Sequence, residues 1–166
     1  MNDINKYELN TNWVLWCHSL TNNNWDLESY NKIYELENIY DYKSMIELVG
    51  LNDYYNSMFF LMRDGILPIW EDENNKNGCS LTIKVPSNKV KTEWDKLILN
   101  SITENIRLDK EDYNEITGLS ISPKKEFNII KIWLRNKVNN LNNIEKQLKL
   151  YDPYLNKKNI KIKKYN

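Results

Sequence analysis

Two apolar runs of strand-like composition, Met58–Met62 and Leu81–Val85, bracket one polar loop. It reads Asp64-Gly65-Ile66-Leu67-Pro68-Ile69-Trp70-Glu71-Asp72-Glu73-Asn74-Asn75-Lys76-Asn77-Gly78. Asp64-Gly65 is turn chemistry, and Pro68 fixes φ and withholds a backbone donor, so no helix runs through this stretch. The loop therefore displays a tryptophan directly beside Glu71, Asp72 and Glu73. Two outcomes fit that juxtaposition. Either Trp70 plugs the core while its acids face water, or the ring is a flat platform for a cationic or planar ligand, with Glu71 accepting hydrogen bonds.

The rest of the chain narrows the chemistry. At 166 residues it is long enough for one domain with a real core. Its 23 basic and 23 acidic side chains cancel, so no overall basic field exists to capture long nucleic acid. Cys17 and Cys79 make no metal pattern and fit free thiols in a reducing compartment. His18 is the single histidine, which leaves no set for a zinc site or a Ser-His-Asp triad. No apolar run is long enough to span a bilayer, and Met1–Lys6 lacks the apolar core of a signal peptide, so a soluble cytoplasmic protein is expected.

Residues 1–11 read as a polar N-terminal arm ahead of a single domain over 12–166. Asn12 to Leu20 is an aromatic, half-buried strand pattern, with His18 expected to face solvent or to be hydrogen-bonded. Thr21-Asn22-Asn23-Asn24 is turn chemistry that delivers Trp25 into a second loop. Tyr42, Met45, Ile46 and Val49 recur at helical spacing with Gly50 as a stop. Val90, Trp94, Leu97, Ile98, Ser101 and Ile102 form the clearest amphipathic helix. Residues 117–122 and 128–134 read as strands. Val138, Leu141, Ile144 and Leu148 mark a third helix. The chain closes on a strand over 160–165 that alternates apolar residues with lysines. Strands interrupted by three one-sided helices predict an α+β fold, an antiparallel sheet with helices on one face and its other face free for a ligand.

Asn12-x-x-Leu15-Trp16, Trp25, Asp64-Gly65-Ile66-x-Pro68-x-Trp70-Glu71-Asp72, Asn77-Gly78 and Ile130-x-Ile132-Trp133 together resemble translation initiation factor 4E, the mRNA cap-binding family. The likeness runs from about Asn12 to Tyr165. It implies a curved antiparallel β-sheet with three helices on its convex face and the 7-methylguanosine cap held in the concave front. The tryptophans that sandwich the methylated base match Trp25 and Trp70, and Glu71 matches the acid that accepts from the base N1–H and N2–H. Trp133 matches the residue facing the methyl group. Base stacking contributes about 1–3 kcal/mol per base, strengthened here by the positive charge of the methylated guanine.

On the phosphate side the chain departs from that pattern. Lys124 stands where relatives carry an arginine, the lysine five residues on becomes Ile129, and an arginine near the central loop becomes Ser80. Lys125 and Lys131 are the remaining candidate phosphate contacts, without arginine's bidentate fork, so a weak dependence on the triphosphate is expected. The sequence ends soon after its last strand, so a covering loop for the second nucleotide is not expected.

The resemblance also implies a dorsal surface for a scaffold or repressor protein, centred on a tryptophan of the first helix. Lys43 occupies that position, with Leu9, Ile39 and Leu99 as its apolar flank, so ordinary scaffold binding is expected to be lost or redirected. The expected protein is a monomeric, non-enzymatic binder of capped mRNA acting in translation initiation or its control. It needs no cofactor or metal and has no membrane partner. The alternatives are a cap-sequestering competitor of translation and an interaction module that kept the fold and lost the ligand. Adjacent loop acids do not supply the converging carboxylates that hydrolase chemistry needs.

Overall fold

Alternation along the strands sorts apolar side chains between two faces of one sheet. In the strand Ser57–Arg63, Phe59 and Leu61 join one buried cluster while Phe60 and Met62 join another. The computed structural model describes residues 7–50, 52–106, 115–137 and 159–165. Within them β1 (Glu8–Ser19), β2 (Tyr30–Asn38), β3 (Ser57–Arg63), β4 (Cys79–Pro86), β5 (Ile116–Pro123), β6 (Phe127–Leu134) and β7 (Ile160–Lys164) form a single curved sheet. Their order is β2-β1-β3-β5-β6-β4-β7, and the neighbours are antiparallel.

The larger cluster lies under the helices α1 (Ile39–Leu48), α2 (Asp53–Asn56) and α3 (Val90–Ile102). Val90, Trp94, Leu97 and Ile98 share one face of α3 and pack with Leu81, Ile83, Ile130 and Ile132 of the sheet. Burying each such side chain contributes about 1.5–3 kcal/mol. α1 starts at a capping box. Asn38 Oδ1 accepts from the Tyr40 and Asp41 amides, and Asp41 Oδ2 accepts from the Asn38 amide. A buried ion pair ties β3 to the turn after α3: Arg63 Nη1 and Nη2 donate to Glu104 at 2.7 and 2.8 Å. The Arg63 guanidinium also lies 4.5 Å from the centre of the Trp13 ring.

The predicted α+β architecture is the observed one, with differences at the element level. β1 begins at Glu8, ahead of the expected start, so the sheet takes up part of the stretch read as a polar arm. β2 has no counterpart among the expected strands. It is a sheet edge carrying Lys32, Glu35 and Glu37, and charge of that kind blunts an edge while hiding its strand pattern. α2 is also additional. The helix expected around Val138, Leu141, Ile144 and Leu148 lies outside the described residues.

Candidate functional site

The loop between β3 and β4 is tied down by its own polar side chains. Gly65 takes the left-handed φ of +79° that the turn requires, and the Ile66 amide closes onto the Arg63 carbonyl at 3.0 Å. Asp72 then staples both arms of the loop. Its Oδ2 accepts from the Leu67 amide at 3.0 Å, and its Oδ1 from the Asn74 amide at 2.8 Å. Buried Asn75 donates from Nδ2 to the Leu67 and Ile69 carbonyls, and the Arg135 guanidinium donates to Asn74 Oδ1. At the far end, a Cβ on Gly78 would stand 1.9 Å from the Leu134 carbonyl, so only glycine fits there.

This scaffolding assigns the three loop acids. Asp72 is committed to backbone amides and Glu73 to Lys76, at 2.7 Å. Glu71 alone is left exposed with no partner among the described residues. It lines a cavity of about 440 Å³ on the sheet face opposite the helices. Trp70 lines the same cavity, 47% exposed, which excludes the core-plug outcome for its ring.

Trp25 reaches that cavity from the loop between β1 and β2 and is 55% exposed. One of its faces is already covered. The fully buried His18 ring stacks on it at 4.4 Å, tilted by 1°, and His18 Nε2 lies 2.8 Å from the Asn24 carbonyl. His18 is thus the hydrogen-bonded strand histidine of the sequence expectation; the solvent-facing alternative is ruled out by its burial. Phe60, Met58 and Trp133 also line the cavity. Trp133 is buried, with Nε1–H donating to Ser120 Oγ at 2.9 Å and its ring against Phe60 and Tyr165.

The cavity joins one carboxylate, Glu71, to three ammonium groups, Lys131, Lys163 and Lys164. Tyr30 lines it as well, and its phenol is pushed up to about 12 by burial and then by the Glu71 charge. Burial, followed by the charges of Lys163 and Lys124, lowers the Lys131 ammonium below its usual range. The arrangement suits a planar ligand that presents N–H donors to a carboxylate and carries an anionic arm. Among the described residues no group of His, Cys, Asp and Glu is arranged to hold a metal ion, and no helix is long and apolar enough to cross a membrane.

Of the predicted site residues, Trp25, Trp70, Glu71, Trp133 and Lys131 converge on this cavity. Lys124 and Lys125 do not line it; they sit exposed in the tight turn between β5 and β6, where the Lys124 amide donates to the Phe127 carbonyl. On the helical side, Leu9 and Ile39 line a shallower groove of about 280 Å³ with Ile102. Lys43 and Leu99 are exposed on α1 and α3 outside that lining. Tyr30, Met58, Phe60, Lys163, Lys164 and Tyr165 were not anticipated. The alternation of 160–165 put lysines on one face without saying which side of the sheet that face would join.

The fold is an antiparallel sheet backed by helices, with two half-exposed tryptophans at an open cavity and a carboxylate there that is unpaired among the described residues. The family model described as Eukaryotic initiation factor 4E matches residues 8–166, and the chain belongs to that family. An Acanthamoeba polyphaga mimivirus protein, "Eukaryotic translation initiation factor 4E homolog", is 35% identical over 64 residues, which is 39% of this chain and 24% of that protein. The Bos taurus eukaryotic translation initiation factor 4E is 24% identical over 133 residues, 77% of this chain and 60% of that protein. The chain thus spans less than two thirds of the length of these relatives. Among solved structures, Ascaris suum eIF4E-3 with m7G cap superposes with a TM-score of 0.71 at 22% identity, covering 83% of this chain and 78% of that one. Schistosome eIF4E complexed with m7GpppG and 4E-BP gives 0.74 at 22% identity, covering 84% and 78%. The structural likeness is one of fold.

Proposed function

We propose that this protein binds the 7-methylguanosine cap of mRNA. The methylated base slots between Trp25 and Trp70, Glu71 accepts hydrogen bonds from its N1–H and N2–H, and Trp133 faces the methyl group. One observation carries the proposal: two half-exposed tryptophans line one cavity together with a carboxylate that has no hydrogen-bond donor among the described residues. Stacking on indole faces favours a cationic base, and a carboxylate that only accepts rejects adenine, which lacks that donor pair. The role is binding without catalysis. Asp72 and Glu73 are spent on the loop, and Glu71 is the one carboxylate among the described residues that line the cavity.

The protein acts as a cytoplasmic monomer in translation initiation or its control. The groove at Leu9 and Ile39, with Leu99 nearby on α3, takes a scaffold or repressor protein, and Lys43 in place of a tryptophan anchor weakens that contact. Tryptophan fluorescence titration with 7-methylguanosine triphosphate beside unmethylated GTP tests the cap site. Strong quenching by the methylated ligand alone is expected, and Glu71→Ala is expected to reduce its affinity by a factor of about ten or more, the size of a charge-assisted hydrogen-bond pair. Equal responses to both nucleotides would refute cap recognition.

A further inference from the structure

β4 is flanked on both sides by cationic side chains. Ser80 pairs with Trp133 of β6 on one side and with Lys163 of β7 on the other, while Thr82 pairs with Lys131 on β6 and Lys161 on β7. Leu81, Ile83 and Val85 point into the helix-side core, so Ser80 and Thr82 face the cavity side. Two small hydroxyl residues, Ser80 fully buried and Thr82 half-buried, thus lie between residues of the neighbouring strands that include Lys131, Lys161 and Lys163. Thr82 Oγ1 is buried there with no hydrogen-bond partner. Lys131, Lys161 and Lys163 form no ion pair with any carboxylate among the described residues. Of these three, Lys131 and Lys163 line the cavity that holds the tryptophans.

We propose that Lys163 on β7, acting with Lys131 on β6, holds the phosphate chain of the bound nucleotide, so that the anionic arm crosses β4 toward the β7 edge of the sheet. The assignment rests on the cap-site reading of the cavity and adds to it a residue that the sequence did not single out. Clustered ammonium groups repel one another, and the Lys131 ammonium, lowered first by burial, is lowered further by the Lys163 and Lys124 charges. A polyphosphate laid between them relieves the repulsion and accepts their N–H bonds. The two lysines stand in for the missing arginine fork and for Ile129, so a marked triphosphate dependence is expected in place of the weak one that the sequence alone suggested.

The test compares 7-methylguanosine with 7-methylguanosine triphosphate by fluorescence titration in wild type, Lys163→Met and Lys161→Met. Lys163 and Lys161 are both exposed, so neither change threatens folding. Wild type is expected to bind the triphosphate at least about 100-fold tighter than the nucleoside, with the gain shrinking as salt rises. Lys163→Met should cut triphosphate affinity about tenfold and leave nucleoside affinity unchanged, whereas Lys161→Met, outside the cavity, should alter neither. An unchanged triphosphate gain in Lys163→Met, or equal losses in both variants, would overturn the assignment and leave the cap site standing. No binding of nucleoside or triphosphate by wild type would overturn both.

Discussion

Lys131 lines the cavity as a partly buried ammonium, and its burial carries a cost in stability. Its ammonium is lowered first by burial and then by Lys163 and Lys124. The unfolded chain therefore holds a proton more tightly at this position than the folded one does. Between the depressed folded pKa and the ordinary lysine value of 10.5, stability rises with pH; at neutral pH the charged group is a net cost to the empty protein. Lys131→Met is expected to raise the melting temperature of the unliganded protein by about 2–4 °C, corresponding to ~1 kcal/mol after allowing for solvent screening at the lysine tip. The same variant should bind 7-methylguanosine triphosphate less tightly. Thermal unfolding with and without ligand measures both, and a lower melting temperature without ligand would contradict the account. Glu71 and Trp70 could be singled out from sequence because local turn chemistry exposes them. His18 behind Trp25 could not, because their stacking depends on where the loop after β1 folds back.

At the scale of the element, the 64–78 loop is a preorganised platform rather than a flexible lid. Asp72 accepts from amides on both arms, and Asn75 donates to the Leu67 and Ile69 carbonyls beside Trp70. Neither residue lines the cavity. Asp72→Ala removes the acceptor of two backbone amides and loosens the platform, so the base loses its fixed stacking partner. The expected outcome is a loss of about tenfold in affinity for 7-methylguanosine, at a cost of roughly 1–3 kcal/mol in stability. Titration and thermal unfolding of the one variant report both numbers. Unchanged affinity would show that the loop holds its shape without Asp72. The acidic run was visible in the sequence, but the division of labour within it was not, since three neighbouring carboxylates differ only in which amides the folded loop aims at them.

Across the whole molecule, the sheet separates the main core from the open cavity. Its helix side carries the main apolar cluster, and the Arg63–Glu104 pair locks β3 to the turn after α3 at a buried point absent from the cavity lining. Glu104→Gln leaves the Arg63 charge underpaired in the interior, an error that costs about 3–5 kcal/mol. A melting temperature lowered by roughly 10 °C is expected, with nucleoside affinity at low temperature unchanged. A parallel loss of affinity would show that the two faces are coupled.

Local patterns in the sequence determined the antiparallel α+β class, the clearest helix at Val90–Ile102, and a tryptophan-and-carboxylate loop between two strands. They carried the family resemblance as well. The helix and the loop are each written within a dozen or so neighbouring residues, where periodicity, turn residues and proline act. Only the tertiary structure decided the rest. It paired the charged edge strand Tyr30–Asn38 with β1, stacked His18 on Trp25, and set Lys163 across Ser80 from Trp133. Alternation says which residues of a strand share a face, but register and strand order between distant segments decide what that face meets.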